Sequence, residues 1–384
     1  MRLGIDATNL TRGGGRTHLV EILKCAKPLD YGFREVVVWA THETLNLIDC
    51  RDWLVKCSPR AINNGLLQRL LWQQTELAKE VTLKNCDLLF VPGGLSACKF
   101  RSYVTMSRNM LPFDLPELWR YGWSFTTIRL LLLRFVQTSC LRQADGIVFL
   151  TEYARSSVQQ VTGKLPGLVT VIPHGLNSRF MQSPRIQHSM TSFTTDDPLR
   201  FLYVSIVDQY KHTWVVVEAI ARLRASTGWP LALDLVGPSY PPALSRLNKA
   251  IDLWDPDRRW VRYHGSVPYD ALHTFYHQAD VGIFASSCEN MPNILLEMMA
   301  AGLPIACSNR GPMPDVLRNA GVFFDPLNPL SIQGALRLLL HSPKMRYNLS
   351  RASYQLAQGF SWDLCSASTF KFLSDVCRNV SLKF

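Results

Sequence analysis

No run of about 18 uncharged apolar residues occurs anywhere in the chain, so no membrane-spanning helix is expected. Trp123 to Phe135 comes closest, and Arg129 and Arg134 interrupt it. The opening Met1-Arg2-Leu3-Gly4-Ile5-Asp6 enters a strand-like pattern at once, without the long apolar stretch of a signal peptide. Paired cysteines are missing too. Cys25, Cys50, Cys57, Cys86, Cys98, Cys140, Cys288, Cys307, Cys365 and Cys377 are scattered, with no CxxC pair among them. That excludes the usual zinc and disulfide frameworks and points to reduced thiols in a cytoplasmic setting. Acids are the minority charge: 30 Asp and Glu face 41 Lys and Arg, a formal net charge of +11. A basic excess suggests an anionic partner. With no Lys/Arg-rich tail, nucleic acid is the poorest candidate, which leaves a phosphorylated ligand, an acidic membrane surface, or an excess that only aids solubility. Charged residues make up only 18% of the chain and apolar ones 47%, so disorder is not expected.

At 384 residues the chain is long enough for two domains. Short apolar runs alternate with longer helical segments. Strands are expected at Leu3–Asp6, Val36–Trp39, Leu88–Val91, Val104–Met106, Ile147–Leu150 and Val169–Ile172. They recur at Phe201–Val204, Leu231–Val236, Val261–His264, Val281–Ala285, Ile305–Cys307 and Val322–Phe324. Runs apolar on both faces and separated by helices imply parallel sheets covered on both sides. Between Asn177 and Pro198 the pattern lapses into Ser, Thr, Gln, Pro and Asp, which reads as a linker. The expected division is therefore a domain at 1–176, a linker at 177–198 and a second domain at 199–359. Both domains would be doubly wound α/β folds facing a central cleft, with ligands beyond the carboxyl ends of the strands.

The richest constellation is Ala285-Ser286-Ser287-Cys288-Glu289-Asn290-Met291-Pro292-Asn293-Ile294-Leu295-Leu296-Glu297. Pro292 suits a helix's first turn and Gly302 with Pro304 its end. Within Ile294–Ala301 only Glu297 is not apolar. A lone carboxylate in such surroundings costs several kcal/mol unless it is satisfied, roughly 2–7 kcal/mol for an unpaired polar group. The vicinal hydroxyls of a ribose would satisfy it, and so would a basic side chain in the core. Glu289, on the loop at the strand's end, can reach a sugar hydroxyl or cap the helix, whose first-turn amides suit a phosphate. Lys211, just before a helix expected near Thr213, can neutralise a departing diphosphate or stand as an ordinary solvated lysine. Gly13-Gly14-Gly15 follows the first strand ahead of a helix expected from Thr17, where glycines admit a phosphate or simply turn the chain. His18 stands where a dinucleotide fingerprint needs glycine, so nicotinamide binding is disfavoured. His174, in Ile172-Pro173-His174-Gly175, would lie at the cleft or hold the hinge.

Together these residues resemble the retaining GT-B glycosyltransferases of family 4. The stretch from Glu289 to Glu297 looks like their Glu-x7-Glu motif, closed by Ala301-Gly302-Leu303-Pro304. Val171 to Gly175 resembles their hinge, and Gly311-Pro312-Met313-Pro314-Asp315 sits where they have a glycine turn followed by an acid. The resemblance implies a hexose-type sugar moved from a nucleotide diphosphate sugar to a glycan or lipid-linked acceptor, in bacterial polysaccharide or lipopolysaccharide synthesis, without a divalent metal or other cofactor. Glu289 would hold the donor sugar, Glu297 the ribose, and Asn290, Met291, Pro292 and Asn293 the sugar or diphosphate side. Lys211 would support the leaving diphosphate, and Gly14 and Gly15 would approach the phosphates. The segment 360–384 would cross back onto the first domain as a helix.

Two positions depart from the pattern. Ile206 stands where an arginine usually pairs with the lysine, and Arg108-Asn109 replaces a usual histidine. Arg108 can supply the missing charge or recognise an anionic acceptor. A nucleotide-sugar epimerase or hydrolase and a non-catalytic binder are the alternative readings. The stretch Arg120 to Arg142, which alternates arginines with Trp119, Trp123, Leu130 to Leu133 and Phe135, suits a basic amphipathic helix on an anionic membrane face, the cytoplasmic one, or a helix lining the acceptor cleft.

Overall fold

The structure is a computed structural model that describes residues 1–94, 98, 100 and 102–382. Lys383 and Phe384, at the end of the expected 360–384 segment, lie outside the described residues. Its strands form two sheets, parallel throughout. The first contains β1 (Arg2–Asp6), β2 (Glu35–Trp39), β3 (Leu54–Cys57), β4 (Leu88–Val91), β5 (Tyr103–Met106), β6 (Gly146–Phe149) and β7 (Leu168–Val171), in the order β3-β2-β1-β4-β5-β6-β7. The second contains β8 (Leu199–Val204), β9 (Leu231–Val236), β10 (Val261–Tyr263), β11 (Val281–Phe284), β12 (Ile305–Ser308) and β13 (Val322–Phe324), in the order β10-β9-β8-β11-β12-β13.

Every strand expected from the sequence is present within a residue or two. Only β3 went unforeseen. It is an edge strand of four half-buried residues that include Lys56, so it lacks the two-sided apolar run that marks the others. The central strands carry that run in full: Val36, Val37, Val38, Leu88, Leu89, Phe201, Ile283 and Ile305 are all buried.

Two compact units divide the chain differently from the expected boundaries. The first comprises Met1–Asp114, Ser124–Gly175 and Ser361–Phe384, and the second Leu115–Trp123 and Leu176–Phe360. The polar stretch 177–198, expected to be a linker, is packed into the second unit. Phe180 is fully buried with its ring centroid 5.6 Å from that of Tyr276, and the Gln182 amide donates to Ala300 O at 2.9 Å. Two apolar side chains, Phe180 and Met190, anchor a segment whose composition otherwise signals a loop. Leu115–Trp123, inside the expected first domain, also belongs to the second unit, where the Tyr121 hydroxyl donates to Asp208 Oδ1 at 2.8 Å.

The last helix, Trp362–Ser381, is part of the first unit. Ser366 Oγ donates to Ile22 O at 2.8 Å, and the Phe370 ring meets that of Phe33 edge-on at 6.3 Å. Its start sets the need for glycine at 175: a Cβ there would collide with the backbone of Trp362 and Ser361. Gly175→Ala should therefore destabilise the first unit by about 3 kcal/mol or more, because backbone cannot move aside as a side-chain tip can. Chemical denaturation of the variant checks this; wild-type stability would contradict the packing described.

Candidate functional site

In the second sheet β8 and β11 are neighbours at the point where the strand order reverses. Two loops leave the sheet there, and in such folds the crevice beyond them is where ligands bind. The loop after β8 is tied down first. Asp208 Oδ1 accepts from the Gln209 amide at 2.7 Å and caps the short turn Gln209–Lys211, while the Tyr203 hydroxyl donates to Lys211 O at 2.8 Å. His212 follows with φ of 50°, a left-handed turn that opens the helix Thr213–Thr227. The two loops are then stitched together. The Ser287 amide donates to Tyr210 O at 2.9 Å, and His212 Nε2 lies 2.8 Å from Ser287 Oγ. Burial, with Arg120 and Arg246 adding to it, holds the His212 pKa down at about 3, so the ring is neutral and serves as a strut.

This frame brings Lys211 and Glu289 into an ion pair, with side chains 7% and 15% exposed. Lys211 Nζ also lies 5.0 Å from the Tyr210 ring centroid and 5.3 Å from that of Phe284, so aromatic faces help hold it. A third loop, after β12, reaches the same place: a Cβ on Gly311 would stand 3.8 Å from the Glu289 amide. Asn290 and Met291 are buried just beyond, Pro292 occupies the cap position, and Asn293 opens the helix Asn293–Ala300.

Glu297 lies in that helix, only 4% exposed. No basic side chain among the described residues bonds to it directly. The Tyr276 hydroxyl donates to Oε2 at 2.7 Å and the Tyr269 hydroxyl to Oε1 at 3.3 Å. Arg179 acts on it through charge at a distance: its guanidinium carbon lies 5.2 Å from the Tyr269 ring centroid. Tyr269 is itself partly exposed, so Oε1 sits beneath a surface side chain. Burial raises the Glu297 pKa from 4.5 to about 7, with the two hydroxyls and Arg179 pulling the other way.

The remaining candidates belong to the first unit. Gly13, Gly14 and Gly15 form the first turn of the helix Gly13–Lys24, which begins four residues earlier than Thr17; glycine's poor helix propensity hid that start. No side chain caps this helix, and its first turn holds no acid. A Cβ on Gly15 would crowd Leu10 Cδ2 at 2.9 Å and stand 3.6 Å from Arg108 Cζ, so the Arg108 guanidinium lies against this glycine turn. Arg108 Nη1 is buried with no hydrogen-bond partner among the described residues, and burial lowers the Arg108 pKa to about 10. A cation beside the positive end of a helix is a setting that favours an anion. His174 is 4% exposed, with ring centroids 4.7 Å from His18 and 5.9 Å from Trp362; in this position it packs rather than faces solvent. His18, foreseen only as a missing glycine, is fully buried.

Two site residues, Tyr269 and Tyr276, were missed in the sequence, and Tyr203, His212 and Ser287 were given no role of their own. The spacing of Tyr269 and Tyr276, two helical turns apart, was the available signal for donors to Glu297. Ile206 is 37% exposed, so no second cation joins Lys211 from that position.

The architecture is that of GT-B glycosyltransferases. Sucrose-phosphate synthase from Thermosynechococcus elongatus superposes with a TM-score of 0.75 over 100% of each chain at 15% identity. Anabaena Alr3699/HepE in complex with UDP and glucose does so with a TM-score of 0.69 over 99% of each chain, also at 15% identity. Residues 187–356 match the model of the family described as glycosyl transferases group 1. It is also similar to the O-antigen chain mannosyltransferase B of Escherichia coli, 31% identical over 110 residues, a stretch that covers 29% of this chain and 29% of that relative.

The raised Glu297 pKa has a measurable consequence. The folded state holds this proton more tightly than the unfolded chain does, so its contribution to stability is complete below pH 4.5 and is lost as pH rises through about 7. A shift of this size corresponds to on the order of 3 kcal/mol. Glu297→Gln should flatten the fall in stability across that window in urea titrations at stepped pH. An unchanged slope would mean that the carboxylate is not buried as described.

Proposed function

We propose that the protein is a glycosyltransferase whose second unit binds a nucleotide diphosphate sugar across the loops after β8, β11 and β12. One observation carries the reading: Lys211 and Glu289 meet at the switch point of a parallel sheet, eight residues ahead of a buried carboxylate that no cation among the described residues bonds directly. Lys211 would neutralise the leaving diphosphate as the sugar's anomeric bond breaks, an electrostatic role that needs no divalent metal. Glu289, oriented by Lys211, would accept hydrogen bonds from donor-sugar hydroxyls. The amides of Asn290, Met291 and Asn293 would lie on the sugar and diphosphate side, with Pro292 fixing the turn. Glu297 would accept from the ribose diol alongside Tyr269 and Tyr276; a carboxylate has about four lone-pair sites, so the tyrosines leave acceptor capacity.

In the first unit, Gly14, Gly15 and Arg108 supply positive potential for a phosphate or an anionic acceptor, and His174 holds its segment in place. The reaction we propose retains configuration: the leaving phosphate oxygen takes the acceptor proton as the hydroxyl attacks from the same face. The enzyme contributes position and charge and forms no covalent adduct. The likeness to an O-antigen mannosyltransferase favours a hexose and a glycan or lipid-linked acceptor of a bacterial surface polysaccharide.

Thermal-shift measurements with UDP, GDP and their hexose conjugates, in EDTA, test this directly. One of the two nucleotide series should stabilise the protein, by about 2.7 kcal/mol at a hundredfold excess over Kd. Glu297→Ala should abolish the shift. Lys211→Ala should cut turnover on the order of 100-fold or more, as removal of a positioned charge-stabilising group does. No shift with any nucleotide would overturn the reading, and so would sugar transfer retained by Glu297→Ala.

A further inference from the structure

The helix Phe125–Gln143 in the first unit is capped by Ser124, whose Oγ accepts from the Thr127 amide. Its inner face is ordinary: Thr127, Leu130, Gln137, Cys140 and Leu141 are buried. Its outer face is not. Phe125, Ile128, Leu131, Leu132, Phe135 and Val136 are all exposed, Phe125 at 80% and Phe135 at 75%. At about 100° per residue these six fall within an arc of about 140°, a continuous apolar stripe along the first three turns. Trp123, one residue before the cap, is 95% exposed. Large apolar side chains gathered on one open face mark an interaction surface, whereas single ones need no explanation.

Charge decides what covers it. The helix carries Arg129, Arg134 and Arg142 and no acid. Arg129 and Arg142 are exposed, though Arg142 Nε donates to Thr162 O at 3.0 Å, while Arg134 is drawn inward and donates to Pro112 O at 3.0 Å. A second copy docked by a two-fold axis would set this basic helix against itself, like charge on like. No helix among the described residues is long and apolar enough to cross a membrane. An apolar stripe edged by arginines and too short on apolar residues to span fits the boundary of an anionic bilayer, with rings among the acyl chains and guanidinium groups at the headgroup phosphates. We infer that the outer face of Phe125–Gln143 docks this protein on an anionic lipid surface.

The test is flotation of the full chain with phosphatidylcholine vesicles, with and without phosphatidylglycerol. Binding should require the anionic lipid and weaken as salt is raised. The combined substitution Phe125→Ser, Leu132→Ser and Phe135→Ser should lower partitioning by at least about tenfold. Arg129→Glu, which leaves the apolar stripe intact, should lower it about fivefold or more, since each basic side chain near the surface contributes that much. Both variants should keep the wild-type melting temperature and any nucleotide-induced shift, which separates failure here from failure of the donor-site reading. Wild-type protein that stays unbound to anionic vesicles at low salt would overturn the inference. So would a wild-type dimer that the triple substitution converts to monomer, since a second copy would then occupy the face.

Discussion

Glu297 is a carboxylate placed where carboxylates are costly, and the second unit is built around keeping it there. Its helix is apolar at every other position from Ile294 to Ala301, and no cation among the described residues bonds to it directly. Two tyrosines from the Tyr269–Gln278 region donate hydrogen bonds to it, and Phe180 braces both of their rings. That bracing explains why the segment 177–198 cannot be a free linker: without Phe180 the tyrosines lose their edge-on contact, and without the tyrosines the carboxylate loses its donors. A buried acid without a bonded cation keeps the site close to ionisation balance near neutral pH, a state that structural acids paired with arginine do not share.

The Lys211–Glu289 pair solves a different problem. Its residues come from loops 78 positions apart in the chain, and each is immobilised before the two meet. Tyr203 and Asp208 fix the first loop; Ser287, bonded to Tyr210 and facing a neutral His212, fixes the second. Pre-organisation of this kind matters for charge stabilisation, because groups already held in place need not reorganise when charge develops. The first unit offers a looser counterpart, with Arg108 lying over an uncapped glycine turn.

Much of this was legible in the sequence, for identifiable reasons. Strands buried on both faces announce themselves as short apolar runs, and the helices between them force parallel order. Edge strand β3, half-exposed and carrying Lys56, had no such run to show. Lys211, Glu289 and Glu297 stood out because a charge beside apolar runs demands an explanation. Their partners did not: Tyr269, Tyr276 and Ser287 are ordinary residues whose importance comes from where the sheet delivers them. Boundaries failed where composition and packing disagree, as in 177–198, which is polar in content yet anchored by Phe180 and Met190, and in Leu115–Trp123, whose allegiance to the second unit depends on the contact of Tyr121 with Asp208. Gly13 to Gly15 read as a turn because glycine resists helix, and they begin one nonetheless.

The central claim is that a nucleoside diphosphate settles over the loops after β8 and β11 with its ribose towards Glu297. Amide hydrogen exchange, with and without a saturating nucleoside diphosphate, tests it most directly. Slowed exchange should concentrate in 205–212, 286–297 and 265–276. Protection confined to other segments, under conditions where the nucleotide is demonstrably bound, would contradict the account.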